Sequence, residues 1–170
     1  RLPPGGRVLD MGTGSGAIAV ALAYTRPDAV VTALDVSSAA LAVARRNASA
    51  NGVNITFMAS DWFEALGTEK FDLIVSNPPY IASGDRHLAE GDLRFEPPGA
   101  LTDHADGLSA LRTIVAGAAR HLAAGAWLLM EHGYDQAAQV RELLAAANYN
   151  KVQSWRDLAG IERVSGARQG

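Results

Sequence analysis

The stretch Arg7-Val-Leu-Asp-Met-Gly-Thr-Gly-Ser-Gly16 joins a short apolar run to a glycine-rich turn, and an alanine-rich segment at residues 17–24 follows directly. The apolar run predicts a buried strand, and the glycines permit a tight turn into a helix. Pro27 ends the helical pattern, because its ring cannot continue a helix. The stretch therefore predicts a strand-turn-helix unit, from which α/β sheets are built.

The same alternation of strand and helix continues beyond this unit. Strands that alternate with helices predict a parallel sheet with right-handed crossovers. The predicted elements are a strand at Val30–Asp35, a helix capped by Ser37 or Ser38 that runs to about Ala50 and stops at Asn51-Gly52, a strand at residues 55–59 and a strand at Phe71–Ser76.

The second half of the chain begins with an irregular segment at residues 81–106. A stretch of this length without periodicity in a compact domain is typical of a functional lid. Helical spacing of apolar residues then predicts helices at residues 108–122 and 140–147, and residues 127–130 predict a fifth strand between them. The tail predicts two short strands, at residues 151–155 and 161–166, which would form an antiparallel edge of the sheet.

Composition limits the class of protein. The 170 residues are 48% hydrophobic, which predicts one domain with a full core. The chain has no cysteine, and its four histidines lack the spacing of metal ligands, so we expect neither disulfides nor a metal site. The longest apolar run is far shorter than the roughly 18 residues of a membrane span, so we expect a soluble cytoplasmic protein with no membrane partner.

The stretch Val75-Ser-Asn-Pro-Pro-Tyr80 is the first candidate site. Pro78 and Pro79 cannot donate to a sheet ladder, so the fourth strand must stop at Asn77. Asn77 is thereby held at the carboxyl end of a strand, where open α/β sheets bind ligands. Its side-chain amide, two proline-flanked carbonyls and the ring of Tyr80 suit a planar NH2 group of a substrate. The alternative is a plain turn that ends the strand.

The turn formed by Gly12, Thr13, Gly14, Ser15 and Gly16 is the second candidate site. Glycines between a strand and a helix let backbone N–H groups approach a ligand closely. With Ala17 the turn also satisfies the dinucleotide pattern, so it does not by itself choose between a nicotinamide and S-adenosylmethionine. In either case, an acid at the end of the second strand, here Asp35, would hold the ribose hydroxyls.

Three further features favour S-adenosylmethionine as the cofactor. Asp10 directly precedes the glycine turn, Asp61-Trp62 follows the third strand, and the Asn77 stretch follows the fourth. Asp61 could accept a hydrogen bond from the adenine amino group, and Trp62 could stack on the ring. An ordinary core aromatic, packed with Phe63, is the alternative interpretation of Trp62. Asn77 would lie at the methyl end of the cofactor.

Taken together, these motifs resemble the peptide chain release factor glutamine N5-methyltransferase family (PrmC/HemK). The resemblance covers nearly the whole chain. It rests on Asp10-x-Gly-x-Gly-x-Gly16, Asp35, Asp61-Trp-Phe63, Asn77-Pro-Pro-Tyr80, Arg94-Phe-Glu-Pro97, Glu131-His-Gly133 and Glu162-Arg-Val164. The glycine and Pro-Pro-Tyr motifs are shared with adenine-N6 methyltransferases, so the narrower assignment depends on the Asp61 and Arg94 stretches.

The resemblance implies an α/β, Rossmann-like class I methyltransferase fold, with a seven-stranded, mostly parallel sheet whose last strand is antiparallel. It implies methyl transfer from S-adenosylmethionine to the glutamine of the Gly-Gly-Gln motif in a release factor, with Asn77, Pro78, Pro79 and Tyr80 as the catalytic residues. Family members carry a small helical domain upstream that helps hold the release factor. Because the chain starts at Arg1, we expect that residues 1–170 are the single catalytic domain and that the upstream domain is missing.

Other functions remain open at this point. An adenine-N6 methyltransferase acting on DNA or RNA would be expected to carry a basic groove, whereas this chain has a net charge of −3 and only two lysines, so no direct nucleic-acid partner is expected. A glutamine methyltransferase acting on a ribosomal protein is a further alternative, and a non-enzymatic cofactor-binding scaffold would predict a degraded Pro-Pro-Tyr motif. Glu131-His132 could be a base, but a strand-end pair that satisfies local hydrogen bonds is the preferred interpretation.

Overall fold

The computed structural model of the chain describes residues 2–79 and 107–170. Tyr80, the irregular segment at residues 81–106 and the Arg94-Phe-Glu-Pro97 motif therefore lie outside the described residues. The described elements are β1 (Arg7–Met11), α1 (Ala17–Thr25), β2 (Val30–Asp35), α2 (Ser38–Ala50), β3 (Thr56–Ala59), β4 (Phe71–Ser76), α3 (Ser109–Ala118), β5 (Leu122–Glu131), α4 (Ala137–Ala146), β6 (Asn150–Arg156) and β7 (Glu162–Arg168).

The described strands form one seven-stranded sheet in the order β3-β2-β1-β4-β5-β7-β6. The pairs among β1 to β5 are parallel, and β7 is antiparallel to both β5 and β6. This topology confirms the predicted fold, an α/β, Rossmann-like class I methyltransferase fold with an antiparallel last strand. The hairpin of β6 and β7 adds β7 next to β5, so β6 and not the last strand forms the edge.

Two apolar clusters cover the two faces of the sheet. Leu9 and Ile74 belong to the larger cluster, which also contains residues of α3 and α4 such as Ile114 and Leu144. The neighbouring residues along the same strands, such as Val8, belong to the second cluster with Ala19 and Ala23 of α1. Strands buried on both faces read as continuous apolar runs, which explains why the sequence marks β1, β2 and β4 so clearly.

The predicted end of the helix after residue 108 is wrong. The helical spacing from Leu108 to Leu122 predicts one long helix, but α3 ends at Ala118 and Leu122 is the first residue of β5. The spacing misleads because Leu122 is buried in the same cluster as Ala118, so both fit one apolar stripe. The strand forms instead because Phe71 at the start of β4 donates its N–H to the carbonyl of His121 at 2.8 Å.

The strand β5 is also longer than predicted. Phe71 pairs with Leu122 while Leu73 pairs with Trp127, so β5 accommodates extra residues opposite β4. Gly125 lies among them with a φ of 73°, a conformation that glycine adopts without strain. The sequence predicts a strand only from residue 127, and the structure shows a longer strand with a bulge. The strand β3 starts at Thr56 instead of residue 55, a difference of one residue.

Within the described ranges, no helix has the length and apolar character needed to cross a lipid bilayer. The same residues contain no cluster of three or more His, Cys, Asp or Glu that could hold a metal ion.

Candidate active site

The predicted site residues lie together at the carboxyl ends of four adjacent parallel strands, β3, β2, β1 and β4. Asp10 pairs with Ala33 in β2, and Met11 pairs with Ser76 at the end of β4. Asp35 pairs with Ala59, the last residue of β3. The glycine turn, Asp35, Asp61-Trp62 and Asn77 each lie where one of these strands ends, so we expect them to border one crevice.

The glycine turn is open toward the crevice. Gly12 and Gly14 have φ values of 65° and 55°, which L side chains rarely adopt, and a Cβ at either position would meet no atom within 4 Å. Gly16 differs, because a Cβ there would lie 2.9 Å from the Cβ of Ala44 in α2. The first two glycines therefore leave space for a ligand, whereas Gly16 allows α2 to pack against the turn.

Asp10 lies beneath this turn and is almost fully buried, with 1% of its surface exposed. Its Oδ2 accepts hydrogen bonds from the Thr13 hydroxyl at 2.6 Å and from the Ala19 N–H at 3.1 Å. Among the described residues, no group donates to its Oδ1. Burial raises the pKa of Asp10 from 3.8 to about 6, against the opposing effect of those two hydrogen bonds. A buried acceptor without a donor is costly, so this oxygen suits a cationic or polar ligand group.

Asp35 connects the end of β2 to the glycine turn. Its Oδ2 accepts from the Gly14 N–H at 2.9 Å, and its Oδ1 accepts from the Ser37 N–H at 2.8 Å. These two donors fix the orientation of the carboxylate. Each carboxylate oxygen keeps a second lone pair, so Asp35 can also accept hydrogen bonds from the hydroxyls of a ligand.

The segment after β3 contains a strained residue. Trp62 has a φ of 45°, which is unfavourable for a bulky side chain and costs on the order of 1–3 kcal/mol. The Ser60 hydroxyl stabilises this turn, because it donates to the Trp62 carbonyl at 2.8 Å and accepts from the Ala65 N–H at 3.1 Å. Ser60 was not singled out from the sequence, where a small polar residue directly after a strand is its only signal.

The Trp62 side chain is half-buried and packs against the larger apolar cluster, next to Phe63, whereas Asp61 is exposed. Asp61 borders an open cleft of about 340 Å³ at the ends of β2 and β3. Val36, which directly follows Asp35, lines the same cleft and is 73% exposed. Sequence reasoning missed Val36, although an apolar residue between an acid and a helix cap is a recognisable signal.

Asn77 directly follows β4 and is exposed, while Pro78 behind it is buried and Pro79 is half-buried. The hydroxyl of Ser76 donates to the carbonyl of Met11 at 2.8 Å and ties the end of β4 to β1. The strand stops where the two prolines predict. Tyr80, the fourth predicted catalytic residue, lies outside the described part of the chain.

His132 is not placed to act as a base. Its side chain is fully buried, and both ring nitrogens form hydrogen bonds, Nδ1 with the Gly133 carbonyl at 2.9 Å and Nε2 with the Ser165 hydroxyl at 2.8 Å. Burial lowers the pKa of His132 below its usual value of 6.5. The structure agrees with the preferred interpretation of the sequence, in which His132 satisfies local hydrogen bonds.

Comparison with known proteins identifies the family. A family model described as the methyltransferase small domain matches residues 1–92. A release factor glutamine methyltransferase from Bordetella pertussis is 60% identical over 161 residues, covering 94% of this chain and 60% of its own length. The crystal structure of a release factor-specific protein-(glutamine-N5) methyltransferase from Alicyclobacillus acidocaldarius is 31% identical, with 99% of this chain and 83% of that chain covered and a TM-score of 0.58. The chain belongs to the release factor glutamine methyltransferase family.

The family resemblance predicted from the motifs is thereby confirmed. The chain spans about 60% of the length of the curated relatives in this family that it matches. A more distant similarity, 25% identical with a TM-score of 0.68, is to a Thermus thermophilus 16S rRNA methyltransferase solved in complex with AdoMet and guanosine, of which this chain covers 38%. That match includes 98% of this chain.

Proposed function

We propose that the protein transfers a methyl group from S-adenosylmethionine to the side-chain amide nitrogen of the glutamine in the Gly-Gly-Gln motif of a peptide chain release factor. The observation that carries this proposal is the pairing of Met11 with Ser76. The residues that follow them, Gly12 and Asn77, begin the cofactor turn and the predicted amide-binding stretch, so the two candidate sites are neighbours. A release factor as acceptor fits a role in translation termination and the cytoplasmic location expected from the sequence.

The residues of the crevice fit S-adenosylmethionine. The Oδ1 atom of Asp10, buried and without a donor among the described residues, suits the ammonium group of the aminoacyl end. The open positions of Gly12 and Gly14 suit close contact with the backbone, and Asp35 suits the ribose hydroxyls. The cleft bordered by Asp61 suits the adenine ring. When bound, the cofactor supplies a methyl group on a positively charged sulfur.

Asn77 is proposed to orient the acceptor. An amide nitrogen is a poor nucleophile, because its lone pair is delocalised into the carbonyl group, so catalysis depends on holding it in line with the methyl carbon. The side-chain oxygen of Asn77 and the carbonyl of Pro78 can accept its two N–H hydrogens, which draws electron density toward the nitrogen as the new bond forms. Pro79 has no N–H group that could compete for these acceptors.

The reaction is then a single displacement. With the cofactor bound, Asn77 and Pro78 would hold the amide nitrogen where it can take the methyl group, and the bond broken would be the one between that group and the positively charged sulfur, which would leave neutral. The surplus proton on nitrogen leaves to solvent. No strong base is needed before attack, which agrees with a buried, fully hydrogen-bonded His132. Tyr80 is proposed to pack against the plane of the amide.

The experiment that tests this function is transfer of labelled methyl groups to four acceptors: an intact release factor, its Gln→Ala variant in the Gly-Gly-Gln motif, single-stranded DNA and duplex DNA. We expect label on the intact release factor alone. Label on the Gln→Ala variant at an equal level, or label in DNA, would replace the glutamine assignment with another protein site or with adenine. Mass spectrometry of the labelled peptide then locates the modified nitrogen.

A further inference from the structure

A network of hydrogen bonds runs from the partly exposed Arg141 in α4 through β6 and β7 to the end of β5. Arg141 donates from NH1 to the Ser154 hydroxyl at 2.7 Å, and the Ser154 and Ser165 hydroxyls lie 2.7 Å apart. Ser165 lies 2.8 Å from Nε2 of His132, whose Nδ1 lies 2.9 Å from the carbonyl of Gly133. Ser165 and His132 are both fully buried. The proposed chemistry uses none of these groups.

The donor and acceptor of every hydrogen bond in this network follow from the groups at its two ends, Arg141 and the Gly133 carbonyl. A carbonyl only accepts, so Nδ1 of His132 must carry the hydrogen that goes to Gly133. A neutral imidazole then accepts at Nε2, so the Ser165 hydroxyl donates to it. Arginine only donates, so Ser154 accepts from Arg141 and can donate to Ser165. With a neutral His132, every donor in this hydrogen-bond network has an acceptor. The burial that lowers the pKa of His132 favours this neutral form.

This network ends beside the predicted amide-binding stretch. Ser76 of β4 pairs with Met130 of β5, so the next residues along the two strands are Asn77 and Glu131. The prolines after Asn77 have no N–H, so the ladder between β4 and β5 cannot extend past this point from the β4 side. The end of β5 is held instead from the side of β7, where the His132 N–H donates to the Arg163 carbonyl at 2.9 Å.

We propose that His132 is a positioning residue for methyl transfer: its buried imidazole, bonded to Ser165, fixes the end of β5 against which Asn77 is aligned. This inference rests on the proposed function. The cofactor contacts lie at the ends of β1, β2 and β3, on the other side of β4. Loss of the His132 network should therefore misplace the acceptor and leave the cofactor site intact. A misplacement of about 1 Å can lower the rate by about 10²-fold.

The test compares His132→Asn and Ser165→Ala with the control His121→Asn. His121 is the other buried histidine in the described residues, but it directly precedes the first residue of β5, where it stacks on Phe63 and bonds the Glu69 carbonyl, away from the end of β5 that His132 follows. Both His132→Asn and Ser165→Ala should lower kcat about 10-fold or more, with the Kd for S-adenosylmethionine within about threefold of wild type. His121→Asn should lower stability and leave kcat unchanged when measured well below its Tm.

Amide hydrogen exchange gives a second readout that needs no acceptor. His132→Asn should speed exchange in segments 74–77 and 130–133, whereas His121→Asn should speed exchange near residues 69–72 and leave those segments protected. An unchanged kcat in His132→Asn, an equal fall in kcat for His121→Asn, or unchanged exchange at 74–77 would overturn the positioning role. If the wild-type protein transfers no methyl group to a release factor, the proposed function fails, and the exchange pattern still decides whether His132 orders the Asn77 stretch.

Discussion

We expect burial of Asp10 to make both the stability of the protein and its affinity for the proposed cofactor depend on pH. The pKa of Asp10 is raised from 3.8 to about 6 in the folded protein. A shift of about two units corresponds to about 3 kcal/mol. Because the folded state holds the proton more tightly than the unfolded state, this contribution favours folding below about pH 4 and is lost as the pH rises through about 6.

The perturbation is Asp10→Asn, which keeps an oxygen to accept from Thr13 and Ala19 but cannot ionise. Urea unfolding of the cofactor-free proteins should be measured at about pH 5 and about pH 7.5. Between these pH values, the free energy of unfolding of the wild type should fall by about 1.4 kcal/mol relative to that of the variant, which is about half of the full Asp10 contribution. The difference between the two proteins removes the contributions of all other carboxylates, provided that the substitution leaves their surroundings unchanged.

Cofactor binding should respond in the opposite sense. An ammonium group binds the ionised carboxylate, and about one tenth of Asp10 is ionised at about pH 5 while nearly all is ionised at about pH 7.5. Calorimetry should therefore show about tenfold weaker binding of S-adenosylmethionine to the wild type at the lower pH, and Asp10→Asn should bind weakly at both. As a control, Asp35→Asn should weaken binding at both pH values and keep the pH dependence. A wild-type Kd that is the same at the two pH values would refute the argument.

Three further predictions follow from the same crevice and core. Asn77→Ala should lower turnover by about 10² or more with a much smaller change in cofactor affinity, measured by single-turnover kinetics and calorimetry. Asp35→Ala should weaken binding of S-adenosylmethionine by about 1.5–3 kcal/mol, and strong binding of NADH by the wild type would contradict the cofactor assignment. Gly117→Ala should destabilise the protein by about 1–3 kcal/mol in urea unfolding, because its Cβ would overlap the ring of Phe63, whereas Gly67→Ala, which meets no atom within 4 Å, should not.

The first half of the fold was predictable because glycine and proline mark its boundaries. The strands β1, β2 and β4 have the predicted limits, since each is an apolar run closed by a glycine turn, an acid or the two prolines. Leu122 was misassigned because a helix stripe and a buried strand can share one apolar cluster, and periodicity alone does not separate them. The sequence also did not predict which strand pairs with β5, because a hairpin can add either of its two strands to a sheet.

The candidate site was predictable as a set of positions but not as a set of contacts. Its residues follow strand ends, which is a local signal, and parallel pairing then brings them together. The buried Asp10 oxygen without a donor and the strain at Trp62 depend on the packed structure. The bond between His132 and Ser165 joins residues 33 positions apart, and no pattern in one sequence indicates such a pair.

The position of β7 has a consequence for how the protein is made. This strand is the last described element in the chain, yet it lies in the interior of the sheet, between β5 and β6. During synthesis, β6 therefore has no partner, and the edge of β5 stays open, until residues 162–168 leave the ribosome. Exposed strand edges promote aggregation, so this interval is the vulnerable stage of folding. Because Ser165 arrives with β7, the bond that holds His132 also forms only after β7 has joined the sheet.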